Sequence, residues 1–361
     1  MLENVRTCFS AGPLAVIILC AVSLAYIMAS FGSLASLQGR IPVRASFFQQ
    51  GSEKWRPPQP ANFQNASWYA DMMVEQTRRR ALVDQACEHA NMSRKLDLGI
   101  DGKNIFKSVG HLLVDDKYKI LFGFIPKVGC TTWKRVMSSL RRTHRGHQSQ
   151  VSTLKGFRDN LTEITYRLQS YRKVLFVREP ITRMLSGYLS KLRNFRRLQT
   201  TWERYIGRAI VKRYRGYNHE QRYADAEVKP WMNITLAEYI QFITDIGSNI
   251  AMDVLNDHWL PLNVVSNPCQ IHYDFIGHYE NLAVEAPFAI HWLGVDGLIH
   301  FPEVHESHAS NSLVEEYSQV PIHLLKKLST YYSFDYKAFG YRINDTISYL
   351  VKGIFDQDED L

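Results

Sequence analysis

The sequence predicts an α/β fold, a doubly wound parallel sheet flanked by helices and preceded by an N-terminal transmembrane helix. Apolar, β-rich runs at 120–125 and 173–177 each end at a short loop, and apolar residues at helical spacing follow each loop. Strands that alternate with helices in this way form parallel sheets. A nearly uncharged stretch at 11–31 is long enough to span a bilayer as a helix.

The predicted anchor divides the chain into segments. Residues 1–10 are predicted to form a cytoplasmic tail and residues 11–31 a signal-anchor. A cleaved signal peptide is the alternative, because small residues follow the apolar run, but the run is longer than a usual signal core. Residues 32–75 are predicted to form a stem, 76–350 the lumenal domain and 351–361 an acidic tail.

Glycosylation sequons favour a lumenal domain. The charges beside the anchor barely distinguish its two orientations, whereas every Asn-X-Ser/Thr sequon lies after it. Thr235 and Glu238 also form a capping-box pattern, which gives one sequon a purely structural explanation. The predicted glycosylation sites are Asn65, Asn91, Asn160, Asn233 and Asn344.

The loop after the first strand has the features of a phosphate-binding site. It leads into a helix whose first N–H groups lack intrahelical partners and whose macrodipole is positive at this end. The lysine precedes the glycine, so the Walker spacing is absent and an ordinary ATPase or kinase is disfavoured. The predicted binding residues of this first segment are Pro126, Lys127, Val128, Gly129, Cys130, Thr131 and Thr132.

A second strand, turn and helix offers another anion site. Arg178 leaves the end of a buried strand with a forked donor, and Ser186 lies about two turns into the next helix. Sites at the ends of two parallel strands imply a ligand with two phosphates. The second segment comprises Arg178, Glu179, Pro180, Ile181, Thr182, Arg183, Met184, Leu185 and Ser186.

The two segments resemble the nucleotide signatures of Golgi carbohydrate sulfotransferases, in particular the chondroitin and dermatan 4-O-sulfotransferase branch. The matching stretches are PKVGCTTWKR at 126–135 and FVREPITRMLSGY at 176–188. The resemblance implies a P-loop-like fold, a Golgi location and 3′-phosphoadenosine 5′-phosphosulfate (PAPS) as the sulfate donor, without a metal. It also implies that the first segment holds the 5′-phosphosulfate, while Arg178 and Ser186 hold the 3′-phosphate.

Sulfate transfer to a hydroxyl requires a cation at the leaving oxygen and a base for the acceptor proton. Lys127 is the predicted cation. His147 is the predicted base, because more distant glycosaminoglycan sulfotransferases have a histidine base between the two signatures. His144 and His258 are the alternatives.

Charge favours an anionic partner. The formal net charge is +8, and basic residues cluster at 141–145, 193–197 and 212–215. A sulfated or uronate-bearing glycan suits this charge, whereas a lumenal domain rarely meets nucleic acid. The oligomeric state is left open.

Three cysteines follow the anchor and would lie in an oxidising lumen. Since Cys130 belongs to the first segment, Cys87 and Cys269 are predicted to form the disulfide. Related enzymes often have a further cysteine near Pro268, where this chain has Ser266. An odd number leaves one thiol free or paired between chains.

Two other functions are compatible with the same fold. One is a catalytically silent, membrane-anchored glycan-binding protein, which is disfavoured because Lys127, Arg178 and Ser186 are all present. The other is a lumenal P-loop kinase, which the missing Walker lysine disfavours.

Overall fold

The computed structural model describes residues 66–95, 109–145, 152–157, 160–193, 206–216, 232–246, 257–304 and 312–358. The predicted cytoplasmic tail and membrane anchor lie outside these ranges, as does most of the stem. Within them, no helix combines the length and the apolar character needed to cross a membrane.

A five-stranded sheet with the order β3-β1-β2-β4-β5 forms the centre of the domain. β2, β4 and β5 are parallel, whereas β1 runs antiparallel to both β2 and β3. The prediction of a parallel sheet is therefore right for three strands and wrong for this edge. The turn 116–119 between β1 and β2 is too short for a crossover, so the two strands form a hairpin. The strands are β1 (Leu112–Asp115), β2 (Ile120–Gly123), β3 (Ser152–Thr153), β4 (Arg172–Val177) and β5 (Phe275–His278).

Helices surround the sheet, and two of them cross predicted boundaries. α1 begins inside the predicted stem, so the folded domain extends further toward the N-terminus than residue 76. α12 continues past residue 350 into the predicted acidic tail. The helices are α1 (Ala66–His89), α2 (Cys130–Arg145), α3 (Leu161–Ser170), α4 (Pro180–Tyr188), α5 (Arg208–Arg215), α6 (Leu236–Ile246), α7 (Leu262–Ser266), α8 (Leu282–Trp292), α9 (Leu313–Ser318), α10 (Ile322–Tyr331), α11 (Ser333–Ala338) and α12 (Ile343–Asp358).

The core lies on both faces of the sheet. All residues of β1 and β2, and all but the first of β4, are buried; since side chains alternate between faces, both faces are covered. Trp133 of α2 stacks on Phe122 with ring centroids 4.3 Å apart and contacts Phe176 at 4.9 Å. This aromatic group fixes α2 against β2 and β4. Gly277 of β5 lies opposite Phe176, where a Cβ would come within 2.3 Å of the ring.

Helix α1 closes the free edge of β5. The Gln76 side chain accepts from Ile276 N at 2.7 Å and donates to Ile276 O at 3.2 Å, which replaces the missing strand partner. Arg79 forms a buried bidentate pair with Glu285, with N–O distances of 2.7 and 2.9 Å. These contacts make α1 an integral part of the domain.

A disulfide joins the end of α1 to the segment before β5. It connects Cys87 and Cys269, the pair predicted from the sequence, across a separation of 182 residues. Cys130, in the first turn of α2, is a free thiol.

The predicted glycosylation sites that the structure describes are all exposed: Asn91, Asn160, Asn233 and Asn344. Asn65 lies outside the described residues. Asn160 also caps α3, since its Oδ1 accepts from Glu163 N at 3.2 Å. Thr235 and Glu238 form the expected capping box, with reciprocal bonds of 2.9 and 3.2 Å.

Candidate functional site

Two left-handed residues shape the loop between β2 and α2. Lys127 has φ 71° and Gly129 has φ 66°. Glycine adopts this conformation freely, whereas a lysine is strained by it. Trp133 N donates to Gly129 O at 3.0 Å, so the amides just before Trp133 have no intrahelical acceptor. The loop therefore has the main-chain geometry that suits an anion.

Lys127 is held beside a π-helical turn, Leu189–Arg193, that continues α4. Its Nζ donates to Ser190 Oγ at 2.9 Å. Burial and the nearby charges of Arg178, Lys191 and Arg183 lower the pKa of Lys127 to about 8. A negatively charged ligand beside Lys127 would stabilise its protonated form, because the charge of the ligand counteracts the burial and the neighbouring positive charges.

Arg178 brings the second segment to the same edge of the sheet. It is buried at the end of β4, donates to Lys127 O at 3.1 Å and lies 4.3 Å from the ring centroid of Tyr279. Because β2 and β4 are parallel neighbours, the two predicted phosphate segments meet there. Ser186 lies partly exposed in α4, one helical turn before Ser190.

Glu179 orients α4 through contacts inside the protein. Its carboxylate accepts from Thr182 N at 2.6 Å and Thr182 Oγ1 at 2.7 Å, and thus caps the helix. It also accepts from Tyr336 Oη and from Thr346 Oγ1. Its own amide donates to Glu280 Oε1 at 2.7 Å.

Glu280 links this cap to the C-terminal part of the domain, because its Oε2 accepts from Tyr341 Oη at 2.7 Å. Burial raises the pKa of Glu280 to about 7, although its hydrogen bonds oppose the shift.

Arg183 connects the first segment to a third part of the chain. Its buried guanidinium donates to Pro126 O at 3.1 Å, and to Leu260 O and Asp257 O at 2.7 Å each. One side chain thus fixes both the residue before Lys127 and the segment 257–260.

The other predicted binding residues differ in exposure. Gly129, Cys130, Thr132 and Thr182 are partly buried and Thr131 is exposed, so they are accessible to a ligand. The buried ones are Pro126, Val128, Pro180, Ile181, Met184 and Leu185.

The three candidate histidines lie in different surroundings. His258 is partly buried, and burial with the charges of Lys191, Lys127 and Arg183 lowers its pKa to about 3, so it is neutral near pH 7. His144 Nε2 lies 2.9 Å from Asp115 Oδ2. Asp115 pairs with the first residue of β2, at the edge opposite the loop. His147 lies outside the described residues.

His111 and Ser190 are site residues that the sequence analysis did not single out. His111 Nδ1 lies 3.1 Å from Phe124 O, and its Nε2 lies 2.9 Å from Asp257 Oδ2. It therefore ties the residue before His258 to the end of β2. Spacing alone could have indicated Ser190, since it follows Ser186 by four residues on one helix face.

Comparison with known proteins identifies the family of this chain. The "Sulfotransferase family" profile matches residues 110–342, which include both segments. Carbohydrate sulfotransferase 14 of Homo sapiens is 32% identical over 301 residues, covering 80% of this chain and 75% of its own. Carbohydrate sulfotransferase 11 of Rattus norvegicus is 27% identical over 287 residues, covering 75% of this chain and 77% of its own.

Carbohydrate sulfotransferase 12 of Mus musculus is 27% identical over 293 residues, covering 74% of this chain and 68% of its own. No solved structure matches the chain. The profile covers well over half of the sequence and includes the loop between β2 and α2, Arg178 and α4. The chain therefore belongs to the sulfotransferase family and is a sulfotransferase.

Proposed function

We propose that this sulfotransferase moves sulfate from PAPS to a hydroxyl of a glycan, specifically a glycosaminoglycan of the chondroitin/dermatan type. The observation that carries the proposal is the partly buried Lys127 ammonium, held by Ser190 at a helix N-terminus beside Arg178. Three relatives named carbohydrate sulfotransferases support a glycan acceptor.

Two groups of residues support a donor with phosphates at both ends of its nucleoside. The loop 126–132 offers main-chain amides, threonine hydroxyls and Lys127 for the 5′-phosphosulfate. Arg178 and Ser186 are assigned to the 3′-phosphate. Lys127 stabilises the negative charge that develops on the oxygen between phosphorus and sulfur. PAPS supplies the activated sulfuryl group.

The general base is one of two histidines. His147 is the candidate from the sequence, and His258 is the candidate that the structure holds near Lys127. Alanine variants of each separate them, since loss of a general base typically lowers turnover by ~10²–10⁴-fold. A pH profile adds an independent test. His258, with a pKa of about 3, predicts a level kcat/KM between pH 7 and 5, whereas an ordinary histidine gives a fall below pH ~6.5.

The decisive experiment incubates the purified full-length chain with radiolabelled PAPS and a panel of desulfated glycans. We expect label on chondroitin or dermatan at a single hydroxyl. Label on another glycan would reject the substrate class alone. No transfer to any glycan, together with no binding of 3′-phosphoadenosine 5′-phosphate, would contradict the proposed activity. Nucleotide and glycan binding without transfer would indicate a silent glycan-binding protein.

Paired variants test the assignments within the donor site. Lys127→Ala should lower turnover more than donor affinity, because its charge acts on the leaving oxygen. Arg178→Ala should weaken nucleotide binding more than turnover. Lys326→Ala, an exposed charge on α10, is the matched control. The reverse pattern would exchange the two roles.

We also propose that residues 11–31 anchor the protein in the Golgi membrane with the domain in the lumen. The exposed sequons and the Cys87–Cys269 disulfide support an oxidising, glycosylating compartment. Protease protection of the domain in sealed Golgi vesicles, combined with sensitivity to an N-glycosidase, tests this location. Digestion of the domain in intact vesicles would refute it.

A further inference from the structure

An open, shallow depression, called the α2 groove below, follows one face of α2 away from the candidate site. It has a volume of about 330 Å³ and is lined by Thr131, Lys134, Arg135, Ser138 and Arg142. Their i, i+3, i+4, i+7 and i+11 spacing places them on one helix face. At 1.5 Å per residue, this row extends about 16 Å along the helix.

The groove is cationic. Arg142 donates to Ser139 Oγ at 2.9 Å, a neutral acceptor that does not cancel its charge. α2 contains no Asp or Glu, and Lys134, Arg135 and Arg142 are exposed. None of the three forms an ion pair with a carboxylate in the described part of the chain. Lys134 Nζ lies 3.9 Å from the ring centroid of Phe124, the first residue after β2, and this contact fixes the Lys134 side chain near the start of the loop.

In each of the other two predicted basic clusters, one described arginine is used within the protein. Arg215 forms an ion pair with Glu238 and donates to two main-chain carbonyls. Arg193 pairs with Glu316. Arg193 and Arg215 therefore stabilise packing, whereas Arg135 and Arg142 of the α2 groove are exposed to solvent.

The groove is also rigid and begins at the reaction centre. Trp133, Val136, Met137 and Leu140, on the opposite face of α2, are all buried in the core. Thr131 belongs both to the first segment and to the groove. A chain whose reactive hydroxyl reaches the loop can therefore continue along α2.

We propose that this groove binds the part of an anionic glycan chain that extends beyond the sugar being sulfated. Uronate carboxylates, which recur on alternate sugars of such chains, pair with the guanidinium groups of Arg135 and Arg142. The inference rests on the proposed function and assigns a place in the fold to its acceptor. It further predicts that long acceptors are preferred to short ones.

The test compares the full-length wild type with the double variant Arg135→Ala/Arg142→Ala. Lys326→Ala/Lys337→Ala removes the same charge from exposed positions outside the groove and is the control. KM is measured for desulfated dermatan polymer and for a tetrasaccharide cut from it, and direct polymer binding is measured across a salt series. Binding of 3′-phosphoadenosine 5′-phosphate reports on the donor site.

We expect the groove variant to raise the polymer KM about three- to tenfold and to reduce the salt dependence of polymer binding. Tetrasaccharide KM and nucleotide affinity should stay within about twofold of the wild type. Unchanged polymer KM and binding, or an equal loss in the Lys326/Lys337 control, would overturn the inference. Absence of transfer to dermatan by the wild type would reject the proposed substrate class, whereas direct binding still decides whether the groove holds the polymer.

Discussion

The lowered pKa of Lys127 predicts an unusual basic limb in the activity of this enzyme. With a pKa of about 8, about nine tenths of Lys127 is charged at pH 7 and about one tenth at pH 9. An ordinary lysine, with a pKa near ~10.4, stays charged over this range. If the ammonium group is the cation at the leaving oxygen, kcat/KM should fall about tenfold between pH 7 and 9.

The matched perturbation is Lys127→Arg. A guanidinium stays protonated throughout this range, so the basic limb should disappear. The rate at pH 7 should fall, because the forked group does not reproduce the position of the ammonium group next to Ser190. Lys127→Ala should give a level profile as well, with turnover ~10²–10³-fold lower.

The assay is initial-rate sulfate transfer from radiolabelled PAPS between pH 6 and 10, with circular dichroism at each pH to confirm folding. kcat/KM is the right quantity because it reports the ionisation of the free enzyme. A basic limb near pH 8 that persists in Lys127→Arg would refute the reasoning, since another group would then be responsible. A wild-type profile that stays level to pH 10 would refute it equally.

Three further predictions concern stability and are measured by urea denaturation. Cys87→Ala removes the disulfide that closes a loop of 182 residues, and the free energy of unfolding should fall by up to about 5 kcal/mol on the chain-entropy estimate. An unchanged urea midpoint would contradict this prediction. Gly277→Ala should cost ~1–3 kcal/mol because its Cβ would meet Phe176 at 2.3 Å, and Phe176→Leu in the same chain should recover part of that loss. Burial raises the pKa of Glu280 from 4.5 to about 7, so the folded state binds this proton more tightly than the unfolded state does. The free energy of unfolding should therefore fall as pH rises across that interval. Glu280→Gln should remove this part of the pH dependence, and an identical pH slope in variant and wild type would contradict the prediction.

The order of residues along the chain was sufficient to predict the strands and helices that depend on neighbouring residues only. The runs at 120–125 and 173–177 became β2 and β4, and Pro180 begins α4. A strand that ends at a loop before an amphipathic helix depends on adjacent residues only. The same pattern brought Lys127 and Arg178 to one edge of the sheet, because parallel neighbours share their carboxyl ends.

Contacts between residues far apart in the sequence could not be predicted in this way. β1 was not recognised as a strand, although its hairpin with β2 determines the antiparallel edge. Arg183 has the sequence features of a ligand-binding arginine, yet three main-chain carbonyls accept its hydrogen bonds. The approach of His258 to Lys127 depends on that arginine and on His111, and no spacing in the sequence encodes it.

The docking of α1 has a consequence for the order of events during synthesis. In the folded domain, Gln76, Arg79 and Cys87 of this helix each contact a residue that lies between 269 and 285. At about 5–20 residues per second, the 182 residues that separate the two cysteines take about 10–40 s to be made. During that interval Cys87 has not yet met the cysteine to which it is bonded in the folded domain. We therefore expect α1 to dock on the sheet only after residues 269–285 have been made, late in the folding of the domain.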